Sequence, residues 1–198
     1  MVKAIHLVRH GHHVLLNNRL CGRMPGVGLN EQGCRDMECC AGMLVPAPAA
    51  IQCSPQRRAR QSAAILARRF GLPVEIVPAV DEIDVGDWTG LAFDELTHRP
   101  EWKHWNDARG TARPPNGESM LALQRRVVRH LEQLGADGSN VTFAIVSHAE
   151  PIRAALLHYL RVPLDEFASI AIDPASVSTL SVDSLGTRIS TLNRRATA

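Results

Sequence analysis

Residues 5–11 read Ile-His-Leu-Val-Arg-His-Gly, an apolar run that ends in a guanidinium, an imidazole and a glycine. The apolar part has the length and composition of a buried β-strand. Because ligands bind at the carboxyl ends of the strands in open α/β sheets, we expect Arg9 and His10 to face a ligand. Arginine offers a planar fork that matches phosphate oxygens, and a neutral histidine can act as a nucleophile. Gly11 allows a tight turn behind these two side chains.

Strand and helix patterns alternate along the rest of the chain, which predicts an α/β fold. Further short strands are expected at 50–53, 74–77, 141–146, 176–182 and 188–192, with helices between the earlier ones. We therefore predict a three-layer αβα sandwich with a mostly parallel central sheet. The chain of 198 residues suits one domain, 1–198. Residues from about 84 to 117 are expected to form a small helical lid on it.

All three tryptophans lie between Trp88 and Trp105, inside this predicted lid. The general tendency of large aromatic side chains to be buried favours a miniature core of the lid itself. A surface on which the substrate stacks is the alternative.

Composition and charge exclude several classes of partner. A net charge of +2 and a pI near 8.4 are too mild to indicate nucleic acid or membrane binding. We find no apolar run of the roughly 20 residues that a membrane span needs, and no signal peptide. The five cysteines lack the paired spacing of a zinc site, and we expect reduced thiols packed as small hydrophobic side chains in a cytoplasmic protein. A homodimer is left open.

Three histidines within residues 10–13 raise the alternative of a metal site. No carboxylate or cysteine stands near them at ligand spacing. We therefore expect no metal and no other cofactor.

Three later segments carry groups suited to phosphate chemistry. Residues 54–62 place three arginines at the start of a predicted helix, where their charge is favourable only if an anion binds there; a solvated surface cluster is the other interpretation. Residues 81–87 hold four carboxylates, one of which could act as a general acid. His148 follows the clearest buried strand and precedes a helix, so that it ends a strand as His10 does.

Five short motifs, in this order along the chain, resemble those of the histidine phosphatase superfamily, also called the phosphoglycerate mutase-like family. They are Arg-His-Gly at 9–11, Ser-Pro-Gln-Arg-Arg-Ala at 54–59, Glu-Ile-Asp-Val-Gly-Asp-Trp-Thr-Gly at 82–90, Asn-Gly-Glu-Ser at 116–119 and Ser-His at 147–148. The resemblance spans nearly the whole chain. It implies a nucleophilic His10 that becomes a phosphohistidine, phosphoryl oxygens held by Arg9, Arg58 and His148, and proton donation to the leaving oxygen by Glu82. Asn17 and Arg23 are expected as further phosphate contacts from the loop after the first strand.

The chain departs from the family pattern at several positions around the expected site. His12 and His13 replace the usual Glu and Ser or Thr, and Gln56 replaces an apolar residue. The family's Asn falls one position earlier than Asn17. Ala149 and Glu150 replace Gly-Gly after the second histidine, which narrows the pocket or adds an acidic contact.

The resemblance is to the phosphatase branch, and it implies a metal-independent phosphomonoester hydrolase acting on a small phosphorylated metabolite. Cationic side chains can neutralise the charge of a transferring phosphoryl group without a metal. One alternative is a cofactor-dependent phosphoglycerate mutase, although the interval from Glu82 to His148 is shorter than in the longer mutase chains. The other is a phospho-ligand-binding pseudoenzyme, which the presence of every expected catalytic residue disfavours.

Overall fold

The computed structural model describes residues 3–196 and contains six strands and six α-helices in that range. The strands are β1 (Lys3–Arg9), β2 (Ala50–Cys53), β3 (Val74–Ile76), β4 (Phe143–Ser147), β5 (Val177–Asp183) and β6 (Gly186–Arg194). The helices are α1 (Glu31–Ala41), α2 (Arg57–Phe70), α3 (Phe93–Thr97), α4 (Pro100–Asp107), α5 (Met120–Ala136) and α6 (Ala149–Leu160). Short 3₁₀ turns lie at Pro78–Val80, Gly86–Trp88 and Leu164–Ser169.

The strands form one mixed sheet in the order β3-β2-β4-β1-β5-β6. The pairs β3–β2, β2–β4 and β4–β1 are parallel, whereas β5 and β6 add an antiparallel edge. β1 and β4 are almost wholly buried, as strands covered on both faces must be. The prediction of an α/β fold with a mostly parallel sheet is confirmed.

Two apolar clusters cover the two faces of the sheet. Alternating side chains of β1 divide between them: Ile5 and Leu7 join the cluster built with α5 and α6, and Val8 joins the one built with α1 and α2. Because successive strand side chains point to opposite faces, this division places helices on both sides of the sheet. The result is the three-layer arrangement that the alternation of elements predicts.

Local sequence signals fix the ends of the helices. The Asn30 side chain accepts a hydrogen bond from Gly33 N at the start of α1, and Ser119 caps α5 in the same way. α2 ends at Gly71, whose φ of 67° is the left-handed conformation that glycine adopts freely. Gly11 has another reason to be glycine: a Cβ there would lie 2.4 Å from Gly33 O, so only glycine lets the loop after β1 approach α1.

The segment from 84 to 117 contains α3, α4 and the 3₁₀ turn at Gly86–Trp88. Trp88, Trp102 and Trp105 pack edge-on or tilted against one another, with ring centroids 5.3–5.6 Å apart. Trp88 and Trp105 are fully buried in the same cluster as β1 residues. The aromatic side chains therefore form a core, as the sequence predicts, and that core is continuous with the main one.

The cysteines are only partly buried. All five cysteines are free, but Cys34 and Cys39 are exposed on α1, so the expectation that every thiol is packed as a small hydrophobic side chain is wrong for these two. The same helix buries Met37 and Cys40. Within residues 3–196, no helix is both long and apolar enough to cross a membrane.

Candidate active site

A cavity of about 240 Å³ opens at the carboxyl ends of β1 and β4. The parallel register pairs Arg9 with Ser147, the last residues of β1 and β4. His10 and His148 directly follow these two residues. The two imidazole rings lie edge to face with centroids 5.0 Å apart. The cavity is lined by residues from these strand ends, the loop after β1, α2 and the 84–117 segment, including Arg9, His10, His13, Arg58 and Glu82.

His10 is held by hydrogen bonds at both ring nitrogens and is 2% exposed. Its Nδ1 lies 2.8 Å from Gly11 O, and its Nε2 lies 3.3 Å from Arg58 Nε. Because a carbonyl oxygen only accepts and a guanidinium only donates, the proton must be on Nδ1 and the lone pair on Nε2. Burial, Arg58 and Arg9 together lower the pKa of His10 well below its usual range, so the ring stays neutral. A neutral imidazole whose unprotonated Nε2 carries the lone pair is a competent nucleophile.

Two guanidiniums flank this imidazole. Arg58, in the first turn of α2, is 2% exposed; it donates through Nη2 to Gly22 O at 2.7 Å, and its Nη1 has no partner among the described residues. Arg9 donates through Nη1 to Ile172 O at 2.6 Å, and its buried Nε is likewise unpartnered within residues 3–196. Burial lowers the pKa of Arg9 to about 10, which leaves it charged at neutral pH. Such unpartnered donors suit an oxyanion.

Glu82 places a carboxyl group on the same cavity. Its Oε1 accepts from Ile83 N at 2.9 Å, and its Oε2 lies 4.0 Å from Arg58 Nη2. Burial raises the pKa of Glu82 to about 7; Arg58 opposes this increase and Glu150 adds to it. The group can therefore hold a proton near neutral pH and release it, as a general acid must.

His148 lies deeper than the other expected site residues. It is fully buried, and it does not line the cavity as Glu82 does. Its Nδ1 lies 3.7 Å from Glu82 Oε2, and its Nε2 lies 2.7 Å from Ser54 Oγ. The Nδ1 atom is thus the ring nitrogen on the side of Glu82, which lines the cavity.

The two further phosphate contacts expected from the loop are placed differently. Asn17 lines the cavity, with an exposed side chain and a φ of 63°. Arg23 does not line the cavity; its Nε donates to Glu82 O at 2.8 Å and its Nη2 to Glu118 Oε2 at 3.1 Å. The Arg23 guanidinium therefore lies outside the cavity, where it contacts the Glu82 backbone and Glu118.

Several cavity residues were missed by the motifs. His13 is buried, lies with its ring centroid 5.3 Å from that of His10, and lines the cavity. Phe93, Trp102 and Trp105 also line it, so part of the aromatic core is available to a ligand. The spacing of a lone histidine or tryptophan in the sequence does not reveal that its side chain lines the cavity. Whether it does depends on how the 84–117 segment folds back over β1.

Arg109 and Glu150 form a charged pair at the same cavity. The Arg109 guanidinium is sandwiched between Trp105 and Phe167, with its carbon 3.3 Å and 3.8 Å from the ring centroids. Glu150 accepts from Arg109 at 3.4 Å and from Arg153 at 2.6 Å. The acidic residue that replaces glycine after His148 is therefore neutralised by two arginines, which lower its pKa.

The histidines after Gly11 do not assemble a metal site within the described residues. His12 Nδ1 lies 2.7 Å from Asp36 Oδ2 of α1, whereas His13 lines the cavity. No three His, Cys, Asp or Glu side chains between residues 3 and 196 converge in a way that could hold a metal ion.

The fold and the cavity together define an α/β protein with a buried, neutral imidazole between two guanidiniums at the carboxyl ends of its parallel strands. Residues 5–195 match the model of the histidine phosphatase superfamily (branch 1), and the chain belongs to this superfamily.

Comparison with individual proteins gives more distant similarities. A bifunctional protein of Mycobacterium tuberculosis is 33% identical over 175 residues, which cover 87% of this chain and 48% of that protein. The chain thus spans about half the length of the first curated relatives it matches. An adenosylcobalamin/alpha-ribazole phosphatase of Salmonella typhi is 28% identical over 194 residues, 96% of each chain. The solved structure of a mycobacterial glucosyl-3-phosphoglycerate phosphatase, 24% identical, aligns with a TM-score of 0.85 over 98% of this chain and 99% of that one, which supports the fold.

Proposed function

We propose that this chain hydrolyses the phosphomonoester of a small phosphorylated metabolite through a phosphohistidine at His10. The observation that carries the proposal is the fixed tautomer of His10, whose Nε2 lone pair faces a cavity flanked by two guanidiniums. Membership of the histidine phosphatase superfamily supports it.

The first chemical step forms the phosphohistidine. His10 Nε2 attacks phosphorus, and the bond from phosphorus to the leaving oxygen breaks. Arg9 and Arg58 hold the phosphoryl oxygens and neutralise their charge, which is most of what phosphoryl transfer requires of a protein. Glu82 gives its proton to the leaving oxygen, so that an alcohol departs.

The second step returns the protein to its starting state. A water molecule attacks phosphorus, the phosphorus–nitrogen bond breaks, and the Glu82 carboxylate takes the proton from that water. Inorganic phosphate leaves and His10 is again neutral. Because the side chains supply all the charge and proton transfer in both steps, we expect no metal ion to take part.

The cavity supports a small substrate. Its volume of about 240 Å³ falls just below the usual range of roughly 300–1,000 Å³ for small-molecule pockets. Phe93, Trp102 and Trp105 give the alcohol part of the substrate an aromatic surface. Relatives named as phosphatases of small metabolites, such as adenosylcobalamin/alpha-ribazole phosphatase, are consistent with this class.

We further propose that residues 84–117 act as a lid on a single domain. The three aromatic residues that line the cavity come from this segment. Five free thiols favour a reducing compartment such as the cytoplasm. Whether the chain forms a homodimer stays a prediction that size-exclusion chromatography with light scattering can test.

Replacement of the nucleophile tests the mechanism. We expect His10→Ala to abolish turnover while circular dichroism shows an intact fold, because positioning groups alone cannot replace the covalent step. Quenching the wild type in alkaline detergent during reaction with a ³²P-labelled phosphomonoester should trap a base-stable, acid-labile adduct that His10→Ala lacks. Retained activity, or an adduct that persists in the variant, would show that His10 is not the nucleophile.

The same assay separates the alternatives. Turnover unchanged by a chelator supports metal independence, whereas loss restored by one divalent ion would favour a metal site at the histidines of 10–13. Phosphoglycerate isomerisation that requires 2,3-bisphosphoglycerate would identify a mutase. Phosphate binding without any turnover would identify a pseudoenzyme.

A further inference from the structure

A line of buried hydrogen bonds leads from His148 away from the cavity. His148 Nε2 lies 2.7 Å from Ser54 Oγ, and Ser54 Oγ lies 2.9 Å from Asp81 Oδ1. Ser54 and His148 are fully buried, and Asp81 is 8% exposed. None of the roles assigned above uses Ser54 or Asp81.

The partners of Asp81 set the direction of these bonds. Asp81 Oδ1 also accepts from Glu82 N at 2.8 Å and from Gln56 Nε2 at 2.9 Å, so every neighbour donates to this carboxylate. Ser54 has a single hydroxyl proton, and it must point to Asp81. If that proton pointed to His148 instead, two acceptor oxygens would face each other at 2.9 Å with no proton between them.

Ser54 Oγ is therefore an acceptor on its other side. It accepts from Gln56 N at 3.2 Å, and its remaining lone pair accepts from His148 Nε2. A neutral His148 consequently carries its proton on Nε2 and has a bare Nδ1. That Nδ1 is buried, has no hydrogen-bond partner among residues 3–196, and faces Glu82 Oε2 at 3.7 Å.

Burial and the cations among its neighbours keep the His148 ring neutral in the free protein. The titratable and charged groups around it are Arg9 at the end of β1 and His10 after it, Arg58 in α2, Asp81 and Glu82 before the 84–117 segment, and Arg126 in α5. Burial together with the surrounding cations lowers the pKa of His148 well below its usual range. A bare Nδ1 cannot donate to a phosphoryl oxygen, so His148 must gain a proton before it can bind one.

We propose that Ser54 and Asp81 are positioning residues that hold the His148 proton on Nε2, so that binding of a phosphoryl group adds a second proton at Nδ1. The ring then becomes an imidazolium that donates to a phosphoryl oxygen through Nδ1 and, through Ser54, to the Asp81 carboxylate. The added proton comes from solvent or from the monoanionic form of the ligand. This inference rests on the proposed function only in requiring that the cavity binds a phosphoryl group.

Nitrogen-15 NMR of the histidine rings tests the tautomer in the free protein. We expect the wild type to show His148 protonated at Nε2, and Ser54→Ala to move it toward a mixture of tautomers because the acceptor at Nε2 is lost. Ser147→Ala is the matched control, since it removes a buried hydroxyl one residue away that donates to Val80 O at 2.7 Å. A His148 proton on Nδ1 in the wild type, or a tautomer unchanged by Ser54→Ala, would overturn the proposal.

Calorimetry with inorganic phosphate tests the proton uptake. The measurement is made in a Glu82→Gln background, which removes the other group able to take up a proton, in buffers of different ionisation enthalpy near pH 8. We expect uptake of about one proton per phosphate, since the ring must be doubly protonated to donate at both nitrogens. Adding Ser54→Ala should reduce this uptake, because the ring can then present Nδ1–H without a second proton. Equal uptake in both proteins, or no phosphate binding by Glu82→Gln, contradicts the proposal.

Asp81→Asn tests the carboxylate. The amide retains an acceptor oxygen for Ser54 but loses the charge, so we expect the Nε2 tautomer to persist and the pKa of the phosphate-bound imidazolium to fall. An unchanged pKa in the complex would remove Asp81 from the proposal. None of these measurements needs turnover. If the wild type shows the tautomer and Glu82→Gln shows the uptake, but the wild type hydrolyses nothing, the proposed function alone is disproved.

Discussion

At the scale of single residues, Glu82 shows how one environment can prepare a side chain for acid catalysis. Its carboxyl group faces the cavity, yet burial raises its pKa to about 7. The neighbouring Arg58 and Arg9 oppose this shift without cancelling it. Because a protonated carboxyl group is needed only when the leaving group is poor, the role of Glu82 can be separated from phosphate binding.

We predict that Glu82→Gln reduces kcat/KM by about two orders of magnitude on an alkyl phosphate, the usual size of general acid catalysis, and much less on p-nitrophenyl phosphate. An alkoxide needs a proton to leave, whereas p-nitrophenolate does not. With a pKa of about 7, Glu82 loses its proton as the pH rises, so kcat/KM of the wild type on the alkyl phosphate should fall above about pH 7. Glu82→Gln should lack that decline. Equal losses on both substrates would mean that Glu82 positions phosphate, and Asp84→Asn would then be compared as the candidate acid.

The motif resemblance points to residues at strand ends and in one helix turn. Arg9, His10, Arg58 and Glu82 line one cavity, whereas His148 lies deeper. Arg23 was chosen because it lies in the adjoining loop, but its side chain turns toward Glu118. The conformation of an irregular loop depends on long-range partners, and no local pattern encodes it.

At the scale of elements, the first turn of α2 explains why three arginines occur together. Arg57 and Arg60 are exposed, whereas Arg58 is buried with its Nε on His10. Positions 57, 58 and 60 of the helix point in different directions, and only Arg58 faces the cavity. The sequence allows two interpretations of these arginines, side chains that face an anion and a solvated surface cluster. This one turn contains both a cavity-facing arginine and exposed ones.

We predict that Arg58→Lys lowers kcat/KM at least about tenfold, the scale of one charge-assisted hydrogen bond, because lysine keeps the charge but loses the fork. Arg57→Lys is the matched control. It is adjacent and exposed, and its guanidinium donates to Gly26 O at 3.3 Å, so its steady-state kinetics should be close to those of the wild type. If Arg57→Lys is severely impaired and Arg58→Lys is not, the phosphate ligand is Arg57.

A buried cation contributes to the attachment of the segment after α4 to the rest of the fold. Arg109 lies between Trp105 and Phe167 and donates to Asn106 Oδ1 at 2.8 Å. We predict that Arg109→Met lowers the free energy of unfolding by about 2 kcal/mol, the scale of a desolvated cation–π contact. Urea denaturation measures the change, with exposed Arg113→Met as the control. If the free energy of unfolding falls no further in Arg109→Met than in the control, the packing of the methionine side chain fully replaces the contact made by the cation.

At the scale of the whole molecule, periodicity predicted which elements form but not how far each extends or where it lies in the sheet. The predicted strand at 188–192 is the centre of the longer β6, and β5 lies beside β1 although they are far apart in sequence. Alternating burial in β6 indicates a strand with one solvated face. Strand order depends on which faces are covered by helices, and that information is distributed over the entire chain.

The same distribution of contacts bears on whether residues 84–117 form a separate unit. Trp88, Leu96 and Trp105 belong to one apolar cluster with Ile5 and Ile145 of the central strands. A lid that shares its core with the sheet cannot lose its packing without exposing the sheet as well. Although the segment covers the cavity, it should therefore unfold together with the domain.

We predict that unfolding in urea gives the same midpoint by tryptophan fluorescence and by far-ultraviolet circular dichroism. All three tryptophans lie between residues 88 and 105, so fluorescence reports the 84–117 segment, whereas circular dichroism reports the helices and strands of the whole chain. Coincident transitions are the test of a single cooperative domain. His10→Ala serves as a control that alters the cavity without touching the shared apolar cluster, and its two curves should also coincide. A fluorescence transition at lower urea would mean that the segment opens as an independent unit, because the core it shares with β1 is then too weak to couple the two.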